Sequence, residues 1–138
     1  MVADDKDCRT DIGCAFSRVH RVVIIDDEVD VARVLAFYLR SRSFRAEVAH
    51  SGADGLRLVD DFSPHIVICD MRMPEMEGDE VFRRLRAQPH TRHIPVLIIS
   101  AHSGEQCDGI GDAHLQKPFQ LADLMKTINR LIAGAAST

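Results

Sequence analysis

The sequence predicts an α/β fold, a doubly wound five-stranded parallel sheet in one domain. Three observations lead there. Short apolar runs, mostly β-branched, recur along the chain; stretches with helical apolar spacing lie between them; and the two kinds alternate from about residue 20 to about residue 132. Continuous apolar runs of this length fit strands buried on both faces, as in a parallel sheet covered by helices on either side. Regular alternation of strand and helix implies βαβ units with right-handed crossovers.

In chain order, residues 1–19 are polar and aperiodic and are expected to form a flexible extension. Val22–Ile25 predicts the first strand. Val31, Val34, Leu35, Tyr38 and Leu39 then follow the i, i+3, i+4, i+7, i+8 stripe of an amphipathic helix. Ala46–Val48 is more polar, as expected of an edge strand. A helix over Ala53–Asp61 follows, with Gly52 just before it. Ile66–Cys69 predicts the third strand, Asp79–Ala87 the third helix after Gly78, and Val96–Ile99 the fourth strand. His114–Gln116 is the last strand. Leu121, Leu124, Met125, Ile128, Leu131 and Ile132 mark a final helix, and 133–138 reads as a small tail. A doubly wound sheet of this size has the flavodoxin-like strand order 2-1-3-4-5, an order that belongs to the architecture.

The connection between the last two strands is short. Ser100 and Lys117 stand only 17 positions apart, and Gly104, Gly109 and Gly111 lie between them. Each glycine costs a helix interior roughly 1 kcal/mol. The fourth helix is therefore expected to be shortened or irregular.

Composition bounds the possibilities. The chain has 138 residues, 46 % of them hydrophobic and 28 % charged, which suits one globular domain with a core of its own. A net charge of −4 with mixed signs argues against a nucleic-acid surface, which would carry a basic stripe. No apolar stretch is long enough for a signal peptide core or a membrane span. A cytoplasmic protein with reduced thiols is expected. Cys8, Cys14, Cys69 and Cys107 lack the spacing of a zinc site or a disulfide framework, and Cys69, inside an apolar run, is expected to be buried. No phosphate-binding loop G-x-x-x-x-G-K-[ST] is present. Gly109-Ile-Gly111 lacks the third glycine of a dinucleotide fingerprint, because His114 stands there.

The informative positions are those where the apolar runs stop. The first run ends in Asp26–Asp27, the third in Asp70, the fourth in Ser100 and the fifth in Lys117–Pro118. In a parallel sheet these points share one edge, and ligands bind there, at the switch point between strands one and three. Three carboxylates, a hydroxyl and an ammonium are thus expected to converge. Clustered carboxylates repel, and at least one pKa should rise. Mg²⁺ would relieve the repulsion, since it takes one or two carboxylates together with phosphate oxygens. A carboxylate can also act as a nucleophile and become an aspartyl phosphate. Lys117 and Mg²⁺ would then offset phosphoryl charge, and Ser100 would donate a hydrogen bond. Each residue alone has an ordinary reading: Asp26–Asp27 as a helix cap, Lys117 as a surface lysine. Four matching strand ends together point to chemistry.

These residues resemble the receiver domains of bacterial response regulators, from about Arg21 to Leu131. Val-Ile-Ile-Asp-Asp-Glu at Val23–Glu28 looks like the family's acidic opening. Asp70-Met-Arg-Met-Pro-Glu-Met-Glu-Gly78 looks like its phosphoacceptor segment, Ile99-Ser100-Ala101 like its hydroxyl position, and Leu115-Gln116-Lys117-Pro118-Phe119 like its lysine–proline segment. The resemblance implies a receiver domain over 20–132 that switches in two-component phosphorelay signalling. It implies that Asp70 accepts a phosphoryl group from a histidine kinase or a histidine phosphotransfer protein. Asp26, Asp27, Asp70 and the backbone carbonyl of Arg72 would hold Mg²⁺, Lys117 would pair with the phosphoryl oxygens, and Ser100 would report their presence. The Lys117–Pro118 bond would be cis. Output would pass to a downstream protein, with no direct nucleic-acid or membrane contact. The chain would be a signalling switch and no enzyme beyond its own phosphorylation and dephosphorylation.

The sequence departs from the family in places. His114 stands where an aromatic residue usually turns inward on switching, and its imidazole would carry a pH-dependent charge there. Arg72 and His102 flank the phosphoryl position, and Arg72 would shield an aspartyl phosphate from water. The shortened 100–117 region puts output through the usual face in question. It fits a phosphorylation-independent interaction module, although such a module has no physical need for the acidic set. A haloacid-dehalogenase-type phosphatase would need a second Asp at position 72, which is Arg72. Nothing after Leu131 is long enough for an output domain, so output by protein contact or onward phosphotransfer is expected if the chain is whole.

Overall fold

The computed structural model describes residues 19–101 and 109–136. Its elements run β1 (Arg21–Ile25), α1 (Val29–Ser41), β2 (Arg45–Ala49), α2 (Gly52–Phe62), β3 (Ile66–Asp70), α3 (Gly78–Ala87), β4 (Val96–Ser100), β5 (Ala113–Gln116) and α4 (Leu121–Ala136). All four strand pairings are parallel, in the order β2-β1-β3-β4-β5. This is the flavodoxin-like arrangement expected from the alternation.

The continuous apolar runs fill two cores at once. Strand side chains alternate between faces. Val22, Ile24, Ile66, Ile68, Leu97 and Ile99 face one side, where α1 and α4 contribute Leu35, Leu39, Leu124 and Ile128. Val23, Ile25, Val67, Cys69, Val96 and Ile98 face the other, where α2 and α3 contribute Val59, Val81 and Leu85. The central strands β1, β3 and β4 are accordingly dry, and Cys69 is a buried free thiol. The edge strand β2 alternates instead, with Arg45 and Glu47 exposed.

Local signals fix the helix ends. The Ser51 side chain accepts from the Asp54 amide at 3.1 Å and caps α2. Ser63 ends that helix in the left-handed region, at φ 51°. The Arg21 guanidinium donates to the carbonyls of Phe62 and Ser63 there, which satisfies acceptors the helix leaves open. In α3, Asp79 and Glu80 occupy the first turn and Arg84 and Arg86 the last, matching the helix dipole.

Some boundaries differ from the sequence-based expectation. Gly52 and Gly78 are the first residues of their helices rather than the residues before them. The last helix continues to Ala136, past the tail expected to begin at 133. The added residues are three alanines and one glycine, and alanine has the highest intrinsic helix propensity. The irregular helix expected between β4 and β5 falls mostly on 102–108, outside the described residues. So do the expected flexible extension, save for Val19, and Cys8, Cys14, Cys107 and His102. Residues 109–112 form turns, with Gly109 at φ 78° and Gly111 at φ 82°.

Gly55 shows how closely α2 sits on the sheet. A Cβ there would meet the Cδ1 and Cγ1 atoms of Ile25, which is fully buried and has nowhere to move. We expect Gly55→Ala to destabilise the domain by about 1–3 kcal/mol through overpacking. That should outweigh the gain in helix propensity of about 1 kcal/mol. A urea midpoint at or above the wild-type value would contradict this close packing.

Candidate functional site

Sheet register assembles the site. Ile25 pairs with Cys69, so Asp26 comes level with Asp70. Asp70 pairs with Ile99, and Ser100 pairs with Gln116, one residue before Lys117. Backbone bonds continue each pairing beyond the strand. The Met71 amide donates to Ile99 O at 2.8 Å, the Lys117 amide to Ser100 O at 2.8 Å, and the Asp26 amide to Ala49 O at 3.0 Å. The five residues singled out in the sequence therefore stand along one edge.

One carboxylate oxygen from each of Asp26, Asp27 and Asp70 lies within 4.8 Å of the other two. Asp26 and Asp70 are buried, and Asp27 is more open. The Lys117 ammonium faces the cluster at 3.7 Å from Asp70 Oδ1 and 3.8 Å from Asp26 Oδ2. Burial pushes Asp70 up to about 6; the Asp26 charge pushes the same way, and Lys117 offsets part of both. Asp26 is raised too, chiefly by burial. Burial works to lower Lys117, but the carboxylates of Asp70 and Asp26 and the hydrogen bond to Glu28 outweigh it and hold it up.

The segment after Asp70 folds back on the strand end. The Gly78 amide donates to Met71 O at 2.9 Å, and Glu75 adopts φ 70° in the turn between. A Cβ at Gly78 would lie 2.7 Å from the Asp70 carbonyl oxygen, so only glycine permits this approach. Arg72 points outward, with its guanidinium 3.4 Å from Glu77 Oε2. Ser100 is buried at the end of β4. His114 is exposed, whereas its neighbours Ala113 and Leu115 are the half-buried positions of β5. The Lys117–Pro118 bond is cis.

Two contacts were not foreseen from the sequence. Glu28 Oε1 lies 3.3 Å from the Lys117 ammonium, closer than either aspartate. His50 Nδ1 lies 3.0 Å from the Asp26 carbonyl oxygen. Glu28 was readable as part of an acidic run, but its reach across 89 positions was not. His50 follows an edge strand and carries no motif.

The family model described as the response regulator receiver domain matches residues 22–129. The chain belongs to that family. It is therefore a receiver domain of the kind found in two-component response regulators. The receiver domain is 33 % identical over 123 residues to the transcriptional regulatory protein PrrA of Mycobacterium bovis, covering 86 % of this chain and 52 % of that protein. It is 30 % identical to the regulatory protein AtoC of Escherichia coli, covering 85 % of this chain and 26 % of that one. The chain thus spans about half the length, or less, of these curated relatives. Among solved structures, the receiver domain of a signal transduction histidine kinase from Syntrophus aciditrophicus matches with TM-score 0.79 and 28 % identity, over 87 % of this chain and 95 % of that one. The receiver domain of a Pseudomonas aeruginosa sensor histidine kinase shares the fold at TM-score 0.77 and 22 % identity, over 83 % and 98 % of the two chains; its structure has a magnesium ion coordinated in the active site cleft. Among the described residues no helix is long and apolar enough to cross a membrane.

The raised carboxylates set the sign of a pH effect. A folded carboxyl held above its ordinary value of about 3.9 keeps its proton after the unfolded chain has lost it. Stability is then lost as pH rises. Without divalent cation, we expect stability to fall between about pH 4 and the Asp70 value of about 6. Asp70→Asn should flatten that fall and raise stability at pH 7 by on the order of 2 kcal/mol. Urea titrations at pH 4.5 and 7 in chelator test this; a wild-type protein more stable at pH 7 would contradict it.

Proposed function

We propose that this receiver domain accepts a phosphoryl group on Asp70 in a Mg²⁺-dependent reaction and thereby switches a contact with another protein. The observation that carries this reading is the cluster of three carboxylates at the carboxyl edge of the sheet, two of them facing the Lys117 ammonium. Burial, and after it the charge of neighbouring carboxylates, raises two of the three, and a hard oxygen-seeking cation is what such a set accommodates. Asp26, Asp27 and Asp70, with the Arg72 carbonyl, would hold it. Bound there, Mg²⁺ would offset the negative charge that otherwise keeps a phosphoryl group away.

The remaining steps belong to the chain. An Asp70 carboxylate oxygen attacks phosphorus and forms the new O–P bond. The bond to the donor breaks, a P–N bond in a phosphohistidine, and its electron pair leaves with the imidazole. Lys117 shifts from carboxylate to phosphoryl oxygens, and the Ser100 hydroxyl donates to another of them. Such transfers depend on positioning and charge offset, which a set of rigid strand ends supplies. A histidine kinase or histidine phosphotransfer protein is the donor in this reading, a downstream protein is the target, and the setting is the cytoplasm. Ser100 and His114 would carry the change outward. His114 would have to leave its exposed position to turn inward.

Intact mass after incubation with acetyl phosphate tests the proposal. We expect a gain of one phosphoryl group that needs Mg²⁺ and is absent in Asp70→Ala. No gain under conditions that phosphorylate another receiver domain would overturn it in favour of a phosphorylation-independent interaction module.

A further inference from the structure

We propose that His50, from the turn after the edge strand β2, is a positioning residue for the cation site and acts by holding the peptide that joins Asp26 to Asp27. This rests on the Mg²⁺ reading above and extends it to a residue outside the acidic set.

The polar groups of Asp26 are almost fully assigned. Its amide donates to Ala49 O at 3.0 Å, and its Oδ1 accepts from the Glu28 amide at 2.9 Å. Its carbonyl oxygen lies 3.0 Å from His50 Nδ1. A carbonyl only accepts, so His50 must present Nδ1–H, and this holds for the neutral Nδ1–H tautomer and for the imidazolium alike. Only Oδ2 is left turned toward Lys117 and the cluster. The carbonyl that His50 holds belongs to the same rigid peptide plane as the Asp27 amide. Its rotation would swing the Asp27 carboxylate relative to the other two.

That plane needs an anchor from outside. β1 ends at Ile25, so the sheet ladder no longer fixes the chain beyond the Asp26 amide. The first turn of α1 has no side-chain cap hydrogen bond at Glu28. Ala49 and His50, consecutive on the neighbouring strand end, take the amide and the carbonyl of the same residue. Without the ring, the Asp26 amide and side chain keep their bonds while the Asp27 carboxylate is free to turn away. Groups that orient metal ligands in this way commonly govern affinity by about 10–100-fold.

The His50 side chain is exposed, so its replacement leaves both cores intact. We expect His50→Phe, which keeps a ring but has no donor, to weaken Mg²⁺ binding about tenfold by calorimetry. Far-ultraviolet dichroism and the urea midpoint in chelator should match wild type. His50→Asn, whose amide can donate to the same carbonyl, should recover most of the affinity. In the metal-free protein, amide resonances of Asp27 and Glu28 should shift in His50→Phe and return toward wild type in His50→Asn. If wild type binds Mg²⁺ and His50→Phe binds it equally well, His50 has no such role. If the phenylalanine variant is weaker and the asparagine variant is no better, the ring acts through bulk and the proposal also fails. If wild type itself binds no Mg²⁺, it is the functional reading beneath it that falls.

Discussion

The structure turns on keeping like charges together at the end of a dry sheet. Two unit charges about 4 Å apart repel by about 4 kcal/mol at an effective dielectric constant of about 20. A domain of this size is stable by only about 5–15 kcal/mol. Asp26, Asp27 and Asp70 therefore strain the fold unless a proton or a cation answers them. Lys117 answers in part, and Glu28 draws the same ammonium outward, so one positive charge is shared among more acids than it can neutralise. The two cores of aliphatic strand residues supply what holds the edge in place against this repulsion.

The lysine is also the point where the site can rearrange. Its backbone is bonded to the carbonyl of Ser100, and its side chain spans β1 and β3. A new anion beside Asp70 would draw the ammonium away from Glu28 and alter the load on both neighbouring strand ends. No large displacement of the sheet is needed. The two cores are close-packed on either side, and such packing resists continuous deformation.

The central strands were legible because a strand buried on both faces has to be apolar at every position, as at Val22–Ile25 and Val96–Ile99. The residues that end those runs were legible for the same reason: a carboxylate directly after such a run must lie at the rim. What escaped was geometry set by long-range neighbours. Glu28 meets Lys117 only because β5 folds in beside β4, and His50 meets Asp26 only because β2 pairs with β1. Periodicity carries no trace of either contact. Helix ends were misplaced by a few residues for another reason. Gly52, Gly78 and the alanines after Ile132 are residues whose helical state depends on backbone approach and propagation, which an apolar stripe does not record. The exposure of His114 follows from strand parity in β5, which a three-residue run was too short to show.

The two outer strands of the sheet end it in different ways. Unpaired strand edges are templates on which other chains can assemble, and proteins guard them with charge, brevity or proline. β2 carries Arg45 and Glu47 outward. β5 has four residues and runs directly into Lys117 and then Pro118, which has no amide hydrogen to offer. The strand that delivers the lysine to the rim is thus also a poor surface for self-association. The few residues that complete the acidic site give the sheet edge some protection against lasting and unspecific association.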